Sequence, residues 1–263
     1  MTDATVSPRA PAVFVTRPER EAVRWVAALR QRGLRADALP LIAIAATPDP
    51  GVLQGYRDAL ETYRAVMFVS ANAAQGLLAS HDVLWPDGTR AWATGPGTTQ
   101  ALVAWGVPPA QVDAPGAQSA QFDSEALWAQ VGPGVRAGDR VLIVRGGDAS
   151  GQPAGRDWLA VRLEAAAAQV DTAVAYIRQV PQWDAGQRER AQLGARQGVW
   201  WLFSSSEGVD NLGRLLPGQD WSAARALCSH PRIAEAARTA GFGSVATARP
   251  GLEDVAAFLQ SAT

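Results

Sequence analysis

The residues VFVTR at 13–17 and VLIVR at 141–145 are two copies of one type of short strand. Continuous β-branched and apolar residues are typical of a strand covered on both faces, as in a parallel sheet. After the first copy, Val26 and Leu29 fall on one face of a helix that Gly33 ends. A strand followed by a helix predicts a βαβ unit and a parallel sheet.

The same alternation continues along the whole chain. Further strands are predicted at 65–70, 90–94, 140–145, 199–204 and 225–229, with helices between them. We therefore predict the α/β class.

The pattern also repeats within the chain. FVSANAAQGLL at 68–78 matches LFSSSEGVDNL at 202–212 with an offset of 134, and residues 92–107 match 227–242 with an offset of 135. The first strands differ in position by 128, because the second copy has a longer loop at 146–155. Three matches in the same order predict two similar α/β domains related by duplication.

Two extended apolar segments fit neither copy well. They are LPLIAIAA at 39–46 and TAVAYIRQV at 172–180. Two strands that cross a domain boundary would form a natural hinge. A tandem split near residue 135 is the plainest division of the repeat, and the sequence alone leaves it open.

The composition excludes several classes of protein. The 24 basic and 25 acidic side chains give a net charge of −1, which argues against nucleic-acid and anionic-membrane partners. All the basic residues are arginine, so a Schiff-base lysine and a P-loop lysine are both excluded. Cys228 is the only cysteine, and His81 and His230 are the only histidines. We therefore expect no disulfide, no cysteine-cluster zinc site and no metal.

The sequence also bears on location. The apolar run at 12–15 is too short for the core of a signal peptide. No stretch has the roughly eighteen apolar residues of a membrane helix. The expected compartment is the cytoplasm.

Candidate binding residues follow the predicted strands, where parallel sheets bind their ligands. Small and hydroxyl-bearing residues lie there in both copies: Ser70, Ala71 and Asn72; Thr94, Gly95 and Thr98; Ser204, Ser205 and Ser206; His230 and Arg232. Hydroxyls and amides at helix N-termini suit carboxylates or phosphates. Plain helix capping is the better explanation of any one loop, but four such loops in two copies favour a ligand site.

Arg17 and Arg145 hold the same position at the end of the first strand of each copy. A guanidinium binds a carboxylate through two hydrogen bonds, which suits a polyanionic ligand. A surface ion pair with Glu19 or Asp148 is an equally good interpretation of either arginine.

The other motifs give weaker evidence for a function. GPGTTQ at 95–100 has only two of the glycines of a dinucleotide loop, so NAD or FAD is not expected. The three serines from Ser204 lack the GxSxG surroundings of a hydrolase nucleophile. Cys228 lies in an apolar strand and is most simply a core residue.

Several motifs together resemble the uroporphyrinogen-III synthase family over about residues 12 to 259. They are FVSANA, ATGPGTTQAL, DSEAL, RVLIVRG, VAYIRQ, FSSSEGVDNL and HPRIAEAARTAGF. The resemblance implies two flavodoxin-like parallel-sheet domains joined by a two-stranded β-ladder hinge. The first domain would comprise 1–40 and 178–263 and the second 41–177, with 39–46 and 172–180 as the linking strands.

The resemblance also implies a function. The enzyme would be a cofactor-independent lyase that dehydrates and closes hydroxymethylbilane, with inversion of the terminal ring, to uroporphyrinogen III for haem, sirohaem or cobalamin. Hydroxymethylbilane synthase is a possible transient partner that hands over the substrate. On the family pattern Tyr176 is the catalytic residue, and Ser124 joins the substrate-binding set.

Two other functions compete with this one. A non-catalytic two-domain sensor of a small anion would have the same fold, because α/β domains host many functions. A flavodoxin-type FMN protein is disfavoured, since neither half has a clear phosphate loop with aromatic neighbours.

Overall fold

The computed structural model describes residues 12–47, 49–79, 83–116, 119 and 121–262. The chain forms two compact units. The first contains the described residues up to Ala43 and from Val180 onward, and the second contains Ile44 to Gln179. His81 lies outside the described residues.

The elements alternate as the sequence predicts. The strands are β1 (Val13–Val15), β2 (Ala36–Ala38), β3 (Ala43–Ala45), β4 (Ala65–Phe68), β5 (Arg90–Ala93), β6 (Val112–Asp113), β7 (Arg140–Gly147), β8 (Gln169–Gln179), β9 (Trp200–Phe203), β10 (Arg225–Cys228) and β11 (Ser244–Thr247). The helices are α1 (Glu19–Gln31), α2 (Pro50–Asp58), α3 (Ala71–Leu78), α4 (Pro96–Ala104), α5 (Ser124–Val131), α6 (Trp158–Ala165), α7 (Ala185–Arg196), α8 (Ser206–Leu215), α9 (Pro231–Thr239) and α10 (Leu252–Ser261).

The first unit is a parallel sheet in the order β11-β10-β9-β1-β2. Successive residues of its central strands point to opposite faces, so the sheet has a core on each side. Phe14 and Trp201 pack on one side with α7, α8 and α9. Val13 and Trp200 pack on the other side with α1 and α10. Apolar residues on both faces explain why these strands lack a polar alternation.

The second unit is a sheet in the order β3-β8-β7-β4-β5-β6. Phe68 and Val144 belong to a core on the side of α2, α3 and α4. Met67 and Ile143 belong to a second core on the side of α5 and α6. The unit therefore has its own layer of helices on each face of its sheet, as α/β domains do.

The two sheets share one strand order. Taken as β1, β2, β9, β10 and β11, the first unit has the flavodoxin-like order 2-1-3-4-5. The second unit has the same order when its strands are taken from β7 as β7, β8, β4, β5 and β6, with β3 added beyond β8. The predicted fold class of two similar parallel-sheet domains is confirmed.

Strand pairing fixes which residues are equivalent. Val13 pairs with Trp200 in one sheet, and Val141 pairs with Ala65 in the other. Ala65 is thus equivalent to Trp200, at an offset of 135, so the sequence match at 134 was one residue out of register. Ser70 is accordingly equivalent to Ser205, since each occupies the N-cap of the helix that follows.

A tandem split near residue 135 is wrong. β1 of the first copy pairs with β9 of the second, and β7 of the second copy pairs with β4 of the first. Each unit therefore takes its first two strands from one copy and its last three from the other. The chain crosses between units after Ala43 and after Gln179.

The predicted linking segments differ in regularity. Only Ala43–Ala45 of segment 39–46 forms a strand, whereas segment 172–180 belongs to the longer strand β8. β3 and β8 are neighbours in the sheet of the second unit. Their role as a hinge stays a prediction.

Candidate active site

The candidate residues of the second unit lie at the carboxyl edge of its sheet. Phe68, the last residue of β4, pairs with Val144, and Gly146 of β7 pairs with Tyr176 of β8. Ser70 comes two residues after Phe68, and Gly146 comes two residues after Val144. Ser70 and Tyr176 therefore lie at one level just beyond the end of β4. Parallel sheets bind ligands at this edge.

Tyr176 and Ser70 contact each other directly. The phenolic oxygen of Tyr176 is 3.0 Å from Oγ of Ser70. Ser70 is the N-cap of α3, and its Oγ accepts a hydrogen bond of 3.2 Å from the amide of Ala73. The tyrosine is 6% exposed, so this contact is largely shielded from water. A phenol held in this way is a well-placed proton donor.

A β-bulge sets the direction of the tyrosine. Arg145 pairs with Val174 while Gly146 pairs with Tyr176, so β8 has one extra residue at this point. The extra residue changes which face the following side chain occupies. A Cβ atom on Gly146 would lie 2.7 Å from Cζ of Tyr176, so only glycine leaves room for the ring.

A second glycine brings α3 against β8. A Cβ atom on Gly76 would lie 2.3 Å from the carbonyl oxygen of Ala175, the residue before the tyrosine. The close approach of helix and strand therefore requires glycine at this position. The roles of Gly76 and Gly146 could not be predicted from the sequence, because they depend on the register between distant segments.

The other candidates in this unit lie at or just before the starts of α3 and α4. Ala71 and Asn72 are half-buried residues in the first turn of α3. Thr94 Oγ1 donates to the carbonyl of Val69 at 3.3 Å. Gly95 is the N-cap of α4, and Thr98 is buried one turn into that helix.

Ser124 is the first residue of α5 rather than its cap. The cap is Asp123, whose carboxylate accepts from the amide of Ala126 at 2.9 Å. Ser124 is half-buried at this helix start.

Arg145 is held within the second unit. Its side chain is 5% exposed, and Nη1 is 2.5 Å from the carboxylate of Asp157 while Nη2 donates to the carbonyl of Arg156 at 3.1 Å. Its partner is thus neither Asp148 nor a free anion. Arg145 fastens the end of the loop that follows β7, which favours a structural role over substrate binding.

The first unit presents its candidates in the same arrangement. Ser205 is the N-cap of α8, and Ser206 begins that helix with a buried Oγ that has no hydrogen-bond partner. Ser204 precedes them and is half-buried. These hydroxyls lie at the carboxyl end of β9.

His230 caps α9. Its Nδ1 accepts from the amide of Arg232 at 3.1 Å, so the neutral ring carries its proton on Nε2. Arg232 is exposed in the first turn of the same helix. His230 thus caps a helix with one nitrogen and can donate with the other.

Arg17 is neither a surface residue nor a partner of Glu19. Its Nη1 is 3.2 Å from Glu21, and the guanidinium lies 4.2 Å from the ring centre of Trp25. Its Nε is buried without an acceptor. Burial lowers the pKa of the arginine, and the nearby Glu21 carboxylate opposes that shift.

The equivalent places in the two units differ in one respect. Asp37 faces Phe14 in the first unit as Asp171 faces Leu142 in the second. Counted along the chain, Tyr176 stands five residues after Asp171 and Ile42 stands five residues after Asp37, but Ile42 lies beyond Ala38, the last paired residue of β2, and is buried and apolar. The phenol–serine pair therefore belongs to the second unit.

A shallow polar depression of the first unit lies elsewhere. It measures about 390 Å³ and is lined by Ala195, Arg196, Gly218, Gln219, Asp220 and Ala223. These residues precede β9 and β10, at the amino edge of the sheet, so the depression lies opposite the edge where such sheets bind ligands.

Among the described residues, no group of three or more His, Cys, Asp or Glu side chains could hold a metal ion. Over the same part of the chain, no helix is both long and apolar enough to cross a membrane. Cys228 is fully buried, and burial raises the pKa of its thiol to about 12. It is a core residue, as the sequence predicts.

The family model described as uroporphyrinogen-III synthase HemD matches residues 23–257 of the chain. The chain belongs to this family. Members of the uroporphyrinogen-III synthase family are lyase-type enzymes of tetrapyrrole biosynthesis, so the enzymatic interpretation is favoured over a sensor and the substrate class is a tetrapyrrole.

Solved structures agree on the fold. The chain is similar to uroporphyrinogen-III synthetase from Helicobacter pylori, with 16% identity, a TM-score of 0.61 and coverage of 96% of this chain and 100% of that one. It is also similar to a mutant uroporphyrinogen III synthase from the extremely thermophilic bacterium Thermus thermophilus, with 16% identity, a TM-score of 0.56 and coverage of 95% and 96%. At this identity the likeness shows a shared fold.

Proposed function

We propose that the chain converts hydroxymethylbilane to uroporphyrinogen III, with Tyr176 as the general acid. The observation that carries the proposal is the 3.0 Å contact between the phenol of Tyr176 and Ser70 at the N-cap of α3. The three tyrosines of the chain all lie in the second unit, so the first unit has no such pair although its sheet has the same strand order, and the family predicts a tyrosine at this place in the sequence.

The chemistry asks for little besides a proton donor. The phenol gives its proton to the terminal hydroxyl, the C–O bond breaks with its electron pair on oxygen, and water leaves. The pyrrole nitrogen supplies electrons to the cation that remains. Attack by the substituted carbon of the terminal ring gives a spiro intermediate, and the bond from that carbon to its original methylene then breaks. The free α-carbon of the inverted ring closes on that methylene and loses the proton that returns the phenolate to phenol.

Geometry then decides the isomer. Unassisted closure gives the symmetrical isomer I, so the enzyme must favour attack by the substituted carbon of the terminal ring, through a spiro intermediate. Holding reactants in one arrangement supplies a large part of such a preference. We assign this task to helix N-termini and hydroxyls, which suit the substrate carboxylates. They are Ala71, Asn72, Thr94, Gly95, Thr98 and Ser124 of the second unit, and Ser204, Ser205, Ser206 and His230 of the first.

The candidate arginines differ in what they can offer. Arg17 and Arg145 each have a buried Nε without an acceptor and each pair with a carboxylate, whereas Arg232 is exposed at a helix start and can add a positive charge near a substrate carboxylate. Arg145 is occupied by Asp157 and contributes by holding its loop.

A transient handover from hydroxymethylbilane synthase and a cytoplasmic location belong to the same proposal. The support is chemical: a substrate that closes by itself to the wrong isomer gains from a short path between enzymes.

Replacement of Tyr176 by phenylalanine tests the proposal. We expect Tyr176→Phe to form isomer III about a hundredfold more slowly, because a general acid contributes on that order. The matched control is Tyr56→Phe, which also loses one phenolic hydrogen bond, to the carbonyl of Thr172 at 3.1 Å. Each change should lower the free energy of unfolding by roughly 0.5–1.5 kcal/mol.

The measurement is chromatographic separation of isomers I and III after incubation with enzymatically generated hydroxymethylbilane. If the unaltered protein yields isomer I alone, the proposed function is wrong. If Tyr176→Phe matches Tyr56→Phe in turnover, the role of Tyr176 is wrong and positioning alone would drive the reaction.

A further inference from the structure

The hydroxyl of Ser70 lies between a helix amide and a phenol. Its Oγ is 3.2 Å from the amide of Ala73 and 3.0 Å from the phenolic oxygen of Tyr176. A hydroxyl has one proton to donate and two positions to accept. Ser70 can therefore accept from Ala73 and still donate to Tyr176.

We propose that Ser70 is a positioning residue that makes Tyr176 a stronger acid by donating a hydrogen bond to its phenolic oxygen. The inference rests on the proposed function. With Ser70 as donor, the phenolic proton points away from the serine and toward a leaving hydroxyl. That proton then moves to the leaving oxygen, and water departs. The phenolate that remains accepts a charge-assisted hydrogen bond from the serine hydroxyl.

The position of α3 adds to this effect. The N-terminus of a helix carries a partial positive charge, which favours a nearby anion. Ser70 is the N-cap of α3, so the phenolate would lie one hydrogen bond from that helix end. Both contributions stabilise the charged form of the phenol relative to its neutral form.

The choice of serine fits this role. The chain uses aspartate at the N-caps of α2, α5 and α7, where Asp49, Asp123 and Asp184 accept from helix amides. A carboxylate beside Tyr176 could only accept, would hold the phenolic proton and would raise the pKa. The first unit has serine at the equivalent N-cap, Ser205, but contains no tyrosine, since all three tyrosines of the chain lie in the second unit.

Two substitutions separate the hydroxyl from the helix cap. Glycine is nearly as good an N-cap as serine, so Ser70→Gly removes the hydroxyl at little expense to the helix. Ser70→Asp keeps the cap and replaces a donor with a negative acceptor. Asp49→Ala is the control, because it removes a cap from the same unit and lies at another helix.

The first measurement needs no substrate. The three tyrosines are replaced by 3-fluorotyrosine, and fluorine NMR follows the titration of each, assigned with Tyr56→Phe and Tyr63→Phe. We expect the pKa of residue 176 to rise by about one unit in Ser70→Gly and by more in Ser70→Asp. Asp49→Ala should leave it unchanged.

The second measurement is the pH dependence of isomer III formation. We expect kcat of Ser70→Gly to fall about tenfold with KM unchanged, and the alkaline limb of its profile to move to higher pH. An unchanged titration of residue 176 in both variants would mean that Ser70 acts only as the N-cap of α3. A raised KM with an unchanged alkaline limb of the pH profile would mean that Ser70 binds substrate. Either result overturns the inference.

The failure of the proposed function looks different. If Tyr176→Phe keeps full activity, Tyr176 is not the acid, whatever the titration shows. The fluorine titration still reports whether Ser70 donates to the phenol, because it is made without substrate.

Discussion

Gly146 determines whether Tyr176 can reach Ser70. The ring lies against the α-carbon of the glycine, where a methyl group would come within 2.7 Å of Cζ and 3.0 Å of the phenolic oxygen. Neither the glycine nor its partner strand can move freely, since both belong to the paired strands β7 and β8. The tyrosine side chain must therefore yield to any added atom.

We expect Gly146→Ala to displace the phenol and slow isomer III formation by roughly tenfold to a hundredfold, the usual range for a misplacement near 1 Å. Overpacking should also lower the free energy of unfolding by about 1–3 kcal/mol. The control is Gly88→Ala, whose Cβ would meet nothing within 4 Å. Turnover and urea unfolding are measured for the two variants. Equal turnover would show that the contact of Gly146 with the ring does not position the phenol.

Sequence and structure agree unevenly at the scale of residues. The position of Tyr176 follows from the resemblance, and the serine and threonine loops follow from strand ends. Arg17 and Arg145 occupy equivalent positions, but their partners are Glu21 and Asp157 instead of Glu19 and Asp148. Partner choice depends on the path of the following loop, which short sequence motifs do not encode.

The loop between β7 and α6 is ordered by its own polar groups. The Asp148 carboxylate accepts from the amide of Ser150 at 2.8 Å, from its hydroxyl at 2.7 Å and from the amide of Gln152 at 3.1 Å. These hydrogen bonds, led by that of the Ser150 hydroxyl, hold the pKa of Asp148 below its usual range. Arg145 fastens the far end through Asp157.

The two ion pairs around this loop should differ in strength. Arg145 is 5% exposed, so Asp157→Ala leaves a buried cation without its carboxylate, but the Asp157 side chain is 71% exposed and water screens the pair. The change should lower the free energy of unfolding by about 1–2 kcal/mol. Arg156 and Glu125 are both about 40% exposed, so Glu125→Ala should lower it by about 1 kcal/mol or less.

Urea unfolding measures both losses, and hydrogen exchange over residues 146–157 shows where they act. We expect faster exchange of this loop in Asp157→Ala than in Glu125→Ala. Equal exchange in the two variants would mean that Arg145 does not hold the loop.

The strands with strong apolar sequence patterns were predicted well, and those with weak patterns were not. The apolar strands β1, β4, β5, β7, β9 and β10 were found within a few residues. The sequence analysis did not assign β2, β6 or β11, whose residues ADA, VD and SVAT are short, partly exposed and at or near sheet edges. Such strands are recruited by pairing with a neighbour, and their own residues carry little signal.

The repeat indicates which strands are equivalent but not which copies pair. Either copy can supply the first two strands of a sheet, because VFVTR and VLIVR are equally suited to a buried central strand. The structure pairs β1 with β9 and β7 with β4. That choice depends on how the connections run, so a repeat in the sequence is compatible with both arrangements.

The exchange of strands between the two copies determines which fragments of the chain can form a sheet of their own. Residues 44–179 form one continuous segment that contains strands β4 to β8 and both helix layers of the second unit. The first unit needs two segments, because β1 lies between β9 and β2 in its sheet. Cutting the chain near residue 135 would separate β7 from β4 and β1 from β9.

We therefore expect the fragment 44–179 to fold alone and to unfold cooperatively, since it retains two cores, one on each face of its sheet. Fragments 1–135 and 136–263 should each lack a central strand for either sheet and stay unfolded. Circular dichroism, thermal unfolding and the dispersion of amide NMR signals compare the three. A folded 1–135 beside an unfolded 44–179 would show that the copies pair in tandem, and the strand order given above would then be wrong.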